Sequence, residues 1–198
     1  MDLKMMKQYL KCSKYIDYSD SGVLRLLESL ELSGLEDEYV AKKCFEWVRD
    51  NIKHSADYKM NPVTCKASDV LRHRTGYCFA KSHLLVALLR ASEIPAGLCY
   101  QRLSLAGGGA PFCLHGFVAV HLNKYGWYRI DPRGNKAGVD AQFNPPIEQL
   151  AFTTLLKEEA VLPEIWPEPH PLVVQVLEKY NTYDAVYENL PDIEIISS

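Results

Sequence analysis

Three residues of the types used in thiol chemistry follow one another along the chain, each where the local pattern changes. Cys78 opens one apolar run, His115 lies at the start of another, and Asp131 stands immediately before Pro132. A cysteine nucleophile needs a base that accepts its proton, and the base needs a third group that holds its ring in one tautomer. The sequence therefore predicts a nucleophile at Cys78, a base at His115 and an orienting acid at Asp131.

The position of Cys78 favours the reactive form of its side chain. Gly76 interrupts the preceding pattern, and a helical run then begins at Cys78. The free N–H groups and positive potential of a helix N-terminus stabilise a thiolate, and the same N–H groups can face a developing oxyanion. A cysteine taken alone is more often an inert buried residue. The helix start and the downstream histidine and aspartate favour catalysis here.

Three histidines compete for the role of the base. His83 lies five residues into the Cys78 helix and therefore on another face, which leaves His115 and His121. These two share one strand face, because an even number of positions separates them. We predict His115, since His121 adjoins a turn that places it farther from the helix start. In this arrangement the carboxylate holds Nδ1–H of the ring, and the other nitrogen faces the thiol.

One apolar helix and three strands are predicted to position these residues. The pattern predicts a helix over 78–91, stopped by Pro95, and strands over 96–105, 112–122 and 127–131. The segment 123–126 is typical of a turn, so the last two strands should pair as an antiparallel hairpin. A bulge or register offset would then place His115 and Asp131 on neighbouring strands, with both side chains on one face.

The connection between the first two strands contains Gly107, Gly108 and Gly109. It lacks the lysine and the strand-to-helix setting of a phosphate-binding loop. We interpret it as a mobile loop beside the site.

The flanking segments predict a helical front and a C-terminal wrap around one domain, 1–198, whose core covers about 36–135. Apolar spacing predicts helices at about 23–30, 36–53 and 67–72. Beyond residue 136 the chain is punctuated by prolines, and one further amphipathic helix is predicted over 172–190. The tail, 192–196, is interpreted as an added edge strand or a flexible end.

Composition gives no reason to expect a partner selected by charge. The chain is 47% hydrophobic and 24% charged, with a formal net charge of -3, as in ordinary globular proteins. Nucleic-acid binding needs clustered basic residues, and a membrane span needs about 18 apolar residues, so neither partner is expected. Lysines interrupt the apolar residues near the N-terminus, and we expect a cytoplasmic protein.

Cysteine spacing argues against a structural metal. The six cysteines, at 12, 44, 65, 78, 99 and 113, form no CxxC pair, and no histidine lies close enough to complete a recognisable zinc knuckle. Reduced thiols are expected in a cytoplasmic protein. We therefore predict no metal and no cofactor.

Three blocks of the sequence resemble the transglutaminase-like superfamily of cysteine enzymes. They are Ala67–Arg72 followed by RTGYCFAKSHLLVALLRASEIPAG, the strand HGFVAVHL, and the closing segment GWYRIDP. The resemblance implies a papain-like α+β core, with the nucleophile helix packed on an antiparallel sheet, and it assigns nucleophile, base and acid to Cys78, His115 and Asp131. The chain departs from many members at Gly116-Phe117, where they have Ala-Trp, and this affects the shape of the adjoining pocket.

These residues and the resemblance predict an enzyme that forms an acyl-thioester on Cys78. Capture of the acyl group by water would make it a peptidase or amidase, and capture by an amine would make it a transglutaminase or acyltransferase. We favour the hydrolase, acting on a protein, peptide or small amide, because no separate amine-binding feature is visible. The string RTGYCF also resembles arylamine N-acetyltransferases, a minority alternative, and a binding module that kept the fold is the non-enzymatic alternative.

Overall fold

The N-terminal half of the described chain is helical, as apolar spacing predicts. A computed structural model describes residues 6–194. After a 3-10 turn at Lys7–Leu10, its helices in this half are α1 (Ser21–Ser29), α2 (Asp37–Asn51), α3 (Ser55–Tyr58), α4 (Ala67–His73) and α5 (Cys78–Ala91). Two short parallel strands, β1 (Lys53–His54) and β2 (Thr75–Gly76), bring the end of α2 beside the start of α5.

Helix α5 is the centre of the fold. Every residue from Cys78 to Arg90 is buried. A helix that is apolar on all sides must be covered on all sides. The helices α1, α2 and α4 pack on it from one side, and the strands of a sheet pack on it from the other.

That sheet is antiparallel, with strand order β5-β4-β3-β8. Its strands are β3 (Ala96–Ser104), β4 (Phe112–Leu122), β5 (Gly126–Ile130) and β8 (Ala160–Val161). A separate hairpin is formed by β6 (Gln142–Asn144) and β7 (Ile147–Gln149). The predicted α+β class, with the Cys78 helix packed on an antiparallel sheet, is confirmed.

The two faces of β4 enter different environments because successive side chains alternate. Even-numbered residues such as Val118 and Val120 join the core around α5. Phe117 and Ala119, on the odd face, form a smaller cluster with Cys99, against which Trp127 and Leu150 pack. His115 belongs to the odd face, at the end of β4 that β5 does not cover.

The C-terminal wrap differs from prediction in its helix and in its strands, which include the hairpin β6–β7. The single helix predicted over 172–190 is wrong, since the chain forms α6 (Pro171–Lys179) and α7 (Tyr183–Glu188). The break coincides with a hydrogen bond from the Tyr183 N–H to Asn61 Oδ1, which fixes the start of α7 on a distant loop. Strand β8, which was not predicted, completes the sheet by pairing with β3.

The tail leaves α7 along the uncovered edge of β4. Leu114 N–H donates to Pro191 O at 2.7 Å, and Arg102 pairs with Asp192 through two hydrogen bonds of 2.7 Å. Residues 191–194 are not in a strand, and the rest of the predicted edge strand, 195–196, lies outside the described residues. Within residues 6–194, no helix is both long and apolar enough to span a membrane.

Candidate active site

The hairpin brings His115 and Asp131 together, as predicted. The β4–β5 ladder runs without interruption from Leu122↔Gly126 to Val118↔Ile130. Extending this register by one residue sets Asp131 opposite Phe117, two positions from His115 and on the same face. Of the two predicted arrangements, a register offset therefore brings His115 and Asp131 together, and no bulge is needed. His115 Nε2 lies 2.7 Å from Asp131 Oδ2.

Asp131 is fully buried and held by three donors. Besides the His115 ring, the Arg133 N–H donates to Oδ1 at 3.0 Å and the Ala151 N–H to Oδ2 at 3.1 Å. Burial raises the pKa of the Asp131 carboxyl, but the His115 ring and these backbone donors outweigh burial and lower it. The group is therefore a carboxylate with a fixed orientation.

The same pair determines the charge of the His115 ring. Burial lowers the pKa of His115, whereas the Asp131 carboxylate and then the Cys78 side chain raise it, to about 10 overall. The predicted ring orientation is wrong. Asp131 accepts from Nε2, not Nδ1. Nδ1 is the nitrogen left for the thiol.

Cys78 occupies the first position of α5, as predicted. Its side chain is 6% exposed, and Sγ accepts a hydrogen bond of 3.5 Å from the Gly116 N–H. The close approach of β4 depends on the absence of a side chain there, since a Cβ on Gly116 would lie 2.8 Å from Phe79 Cδ1. Gly116, at which the chain departs from the family pattern, thus leaves room for Phe79 on the facing helix.

A cavity of about 330 Å³ opens onto Cys78 and His115. We call it the cysteine cleft. One part of its wall is polar and is formed by His54, Asp57, Arg133 and Lys136. The other part is largely apolar and is formed by Ala56, Tyr77, Leu103, Leu105, Leu114, Phe152, Tyr187 and Leu190, with Ser104 and Cys113 between them.

Several of these wall residues were not identified by sequence reasoning. Phe152 meets the His115 ring edge to face, with centroids 5.0 Å apart. Asp57 accepts from Arg133 at 2.7 and 3.0 Å and from Lys136 at 2.6 Å. Arg133 directly follows the Asp-Pro pair, which was the one local signal available. Phe152 and Asp57 lie in segments whose own patterns point to no site.

The rival histidines are not at the cysteine cleft. His121 stands at the far end of β4, edge to face with Trp127. His83 is buried in α5, and its Nδ1 lies 2.7 Å from Cys65 O. Neither lines the cleft. The glycine loop contributes through Leu105 at its edge, whereas its three glycines do not line the cleft.

Comparison with known proteins gives one family match. A family model described as the transglutaminase-like superfamily matches residues 25–132, more than half of the chain. The match includes Cys78, His115 and Asp131 and confirms the resemblance that the sequence blocks indicate. None of the curated proteins compared with the chain matches it.

Solved structures show similarity at low identity. A protein of Cytophaga hutchinsonii described as a putative cysteine protease shares 18% identity, with a TM-score of 0.47 over 67% of this chain and 43% of its own. The periplasmic domain of TgpA from Pseudomonas aeruginosa shares 18% identity, with a TM-score of 0.49 over 67% of this chain and 48% of its own. The same domain bound to ethylmercury gives a TM-score of 0.48, at 18% identity over 67% and 49%. The chain thus spans less than half of the length of each of these structures.

Proposed function

Because the chain belongs to the transglutaminase-like superfamily, we propose that it is a thiol-dependent hydrolase of amide or peptide bonds. The observation that carries the proposal is the buried His115–Asp131 pair, 2.7 Å between Nε2 and Oδ2, beside Cys78 on the wall of a cavity. A nucleophile, a base and an orienting acid are the groups that acyl transfer requires.

In the proposed reaction, Cys78 is the nucleophile. Its proton resides on His115 Nδ1, whose ring has a raised pKa, when Sγ attacks the carbonyl carbon of the substrate. The C–N bond then breaks, the proton moves from His115 to the leaving amine, and the acyl group stays on Cys78 as a thioester. Water attacks the thioester while His115 takes its proton, and release of the carboxylic acid restores the thiol.

Electrostatics supports these roles. Asp131 raises the pKa of His115, so the ring can hold the proton after the thiol has lost it. The Gly116 N–H points at Sγ and stabilises negative charge there. Cys78 is the first residue of α5, and the first N–H groups of a helix have no partner within it. Such groups are available to stabilise charge on a carbonyl oxygen bonded to Cys78.

The volume of the cysteine cleft is consistent with a small acyl group. At about 330 Å³ it lies near the lower end of the usual range for small-molecule sites, about 300 to 1,000 Å³. Its largely apolar part suits an apolar acyl side chain. We propose water as the acceptor because it needs no binding feature of its own.

Product analysis in excess primary amine tests this proposal. An activated amide or ester is supplied with and without a large excess of amine, and both products are quantified by mass spectrometry. A hydrolase gives mainly the free acid in both mixtures, because the thioester partitions to water. Mostly amine-coupled product would reassign the chain as a transferase. Turnover that persists in Cys78→Ala would exclude a thioester on Cys78 as the intermediate.

A further inference from the structure

A second cavity, of about 400 Å³, lies beside the cysteine cleft. We call it the lysine cavity after Lys53, Lys81 and Lys136 in its wall. His54, Asp57, Arg133 and Lys136 line both cavities. The proposed reaction makes no use of the other residues of the lysine cavity.

The wall of the lysine cavity has more positive than negative side chains. The cations are Arg49, Lys53, Lys81, Arg133 and Lys136, and the carboxylates are Asp50 and Asp57. Asp50 is paired with Arg49, and Asp57 is shared by Arg133 and Lys136. Within residues 6–194, Lys53 and Lys81 form no ion pair. An excess of cations in a concave site attracts an anion.

Lys81 is the most unusual of these cations, because its side chain is fully buried. Nζ donates to the carbonyl oxygens of Ile52 and, at 3.2 Å, Arg49, both at the end of α2. An ammonium has three donors, so two carbonyl partners leave one. Burial lowers the pKa of Lys81 to about 7, and an anion beside Nζ would offset the cost of burying the charge.

His54 supplies a second, independent sign of a missing ligand. The residue is 8% exposed, and Nδ1 is buried without a hydrogen-bond partner in the described part of the chain. Asp57 Oδ2 lies 3.8 Å from Nδ1, which is beyond hydrogen-bond range. Buried polar atoms are nearly always satisfied, and this one belongs to a residue in the wall that the two cavities share.

We propose that the lysine cavity binds a carboxylate or phosphate group. Two sources fit this chemistry, namely an acidic group on the substrate of the neighbouring cysteine cleft and a free small anion. In either case Lys53 and Lys136 draw the anion in from the surface, and Lys81 faces it from the interior.

Direct binding tests the site without any turnover. The full-length protein is titrated with inorganic phosphate by isothermal calorimetry at constant ionic strength, maintained with sodium chloride. The expected result is saturable binding that weakens about threefold to fivefold in Lys53→Gln and in Lys136→Gln, as for loss of one partly exposed charge contact. Lys124→Gln is the matched control, because Lys124 stands in the turn after β4 and lines neither cavity.

Binding that is absent, does not saturate, or is unchanged in both Lys53→Gln and Lys136→Gln would overturn the site. Lys81→Met is expected to abolish binding, and its folding is checked by circular dichroism. The two exposed-lysine variants keep the proposal testable if the Lys81 variant unfolds.

A pair of acyl donors that differ only in one carboxylate distinguishes the two sources. If the anion is part of the substrate, Lys53→Gln lowers kcat/KM for the acidic donor through KM and leaves the neutral donor unchanged, and phosphate competes with the acidic donor alone. Equal behaviour of both donors assigns the site to a free anion. Only the comparison of the two donors rests on the proposed function, so a chain that turns over neither donor can still bind phosphate.

Discussion

Two buried cysteine–histidine neighbourhoods adjoin helix α5, and a carboxylate is hydrogen-bonded to the ring in one of them. Cys78 and His115 meet at the start of α5, where Asp131 accepts from the ring. His83 lies farther along α5, and its ring meets the main-chain oxygen of Cys65, which precedes α4. No carboxylate among the described residues pairs with His83.

The two neighbourhoods have opposite electrostatics. Burial raises the pKa of Cys65 to about 12 and lowers that of His83 to about 4, so both groups stay neutral. Around His115 the same burial is outweighed by the Asp131 carboxylate, and the pKa rises. A cysteine near a histidine is therefore inert unless a carboxylate offsets the cost of charging the ring.

The largest expected difference between the two neighbourhoods is the effect on activity of removing each thiol. Cys78→Ala is expected to lower kcat/KM by about 10⁴-fold or more, since loss of a nucleophile disables the whole set of acting residues. Cys65→Ala is the matched control and should retain activity, because Cys65 lines neither cavity. Hydrolysis of an activated amide measures both variants.

Labelling with iodoacetamide near neutral pH checks the same difference without a substrate. Mapping of the modified peptides should show Cys78 reacting fastest among the six cysteines. Faster labelling at Cys65 than at Cys78 would contradict our account of the two neighbourhoods.

Removal of the Asp131 charge should make the surroundings of His115 resemble those of His83. Asp131→Asn is expected to preserve folding, because the side chains are nearly equal in shape, and to lower the acylation rate by about 10³- to 10⁴-fold. Pre-steady-state acylation, with circular dichroism for folding, measures the effect.

His121→Ala is the control for Asp131→Asn and should keep most of the activity, since His121 lies against Trp127. Equal losses in His115→Ala and His121→Ala would show that the base is misassigned.

The smallest expected effect is on stability, and its sign differs between the histidines. The folded protein keeps His83 neutral down to about pH 4, whereas an unfolded histidine takes up a proton below about pH 6.5. Stability should therefore fall as pH drops from about 6.5 to 4, and His83→Gln should reduce this loss by roughly 3 kcal/mol. Urea unfolding at a series of pH values measures it.

Protonation of His115 should raise the stability of the folded state, and its effect should appear at higher pH than that of His83. The folded state keeps its proton up to about pH 10, and the unfolded state loses it above about pH 6.5. This contribution to stability is complete below about 6.5 and is lost as pH rises towards 10. Parallel curves for the wild type and His83→Gln between pH 4 and 6.5 would contradict the assignment for His83.

The sequence predicts those parts of the site that depend on local pattern. The apolar run after Cys78 indicates α5, and the turn at 123–126 fixes the register that sets His115 beside Asp131. Both follow from periodicity and turn chemistry. The choice between Nε2 and Nδ1 depends instead on the rotamer of one ring, and no sequence pattern encodes it.

Contacts between distant segments were beyond local reasoning. Asp57 and Arg133 are 76 positions apart, and the donor that holds Asp131 at Ala151 comes from a loop with no pattern of its own. The break between α6 and α7 depends on Asn61, 122 positions away. Such contacts are set by tertiary packing, which overrides local helix propensity.

The path of the tail has a practical consequence for handling the protein. The Pro191 carbonyl is hydrogen-bonded to Leu114, one position before His115, and Tyr187 and Leu190 form part of the cleft wall. Proteolytic cleavage before Tyr187 would therefore remove part of the cleft wall, so the mass of each preparation should be checked before its activity is measured.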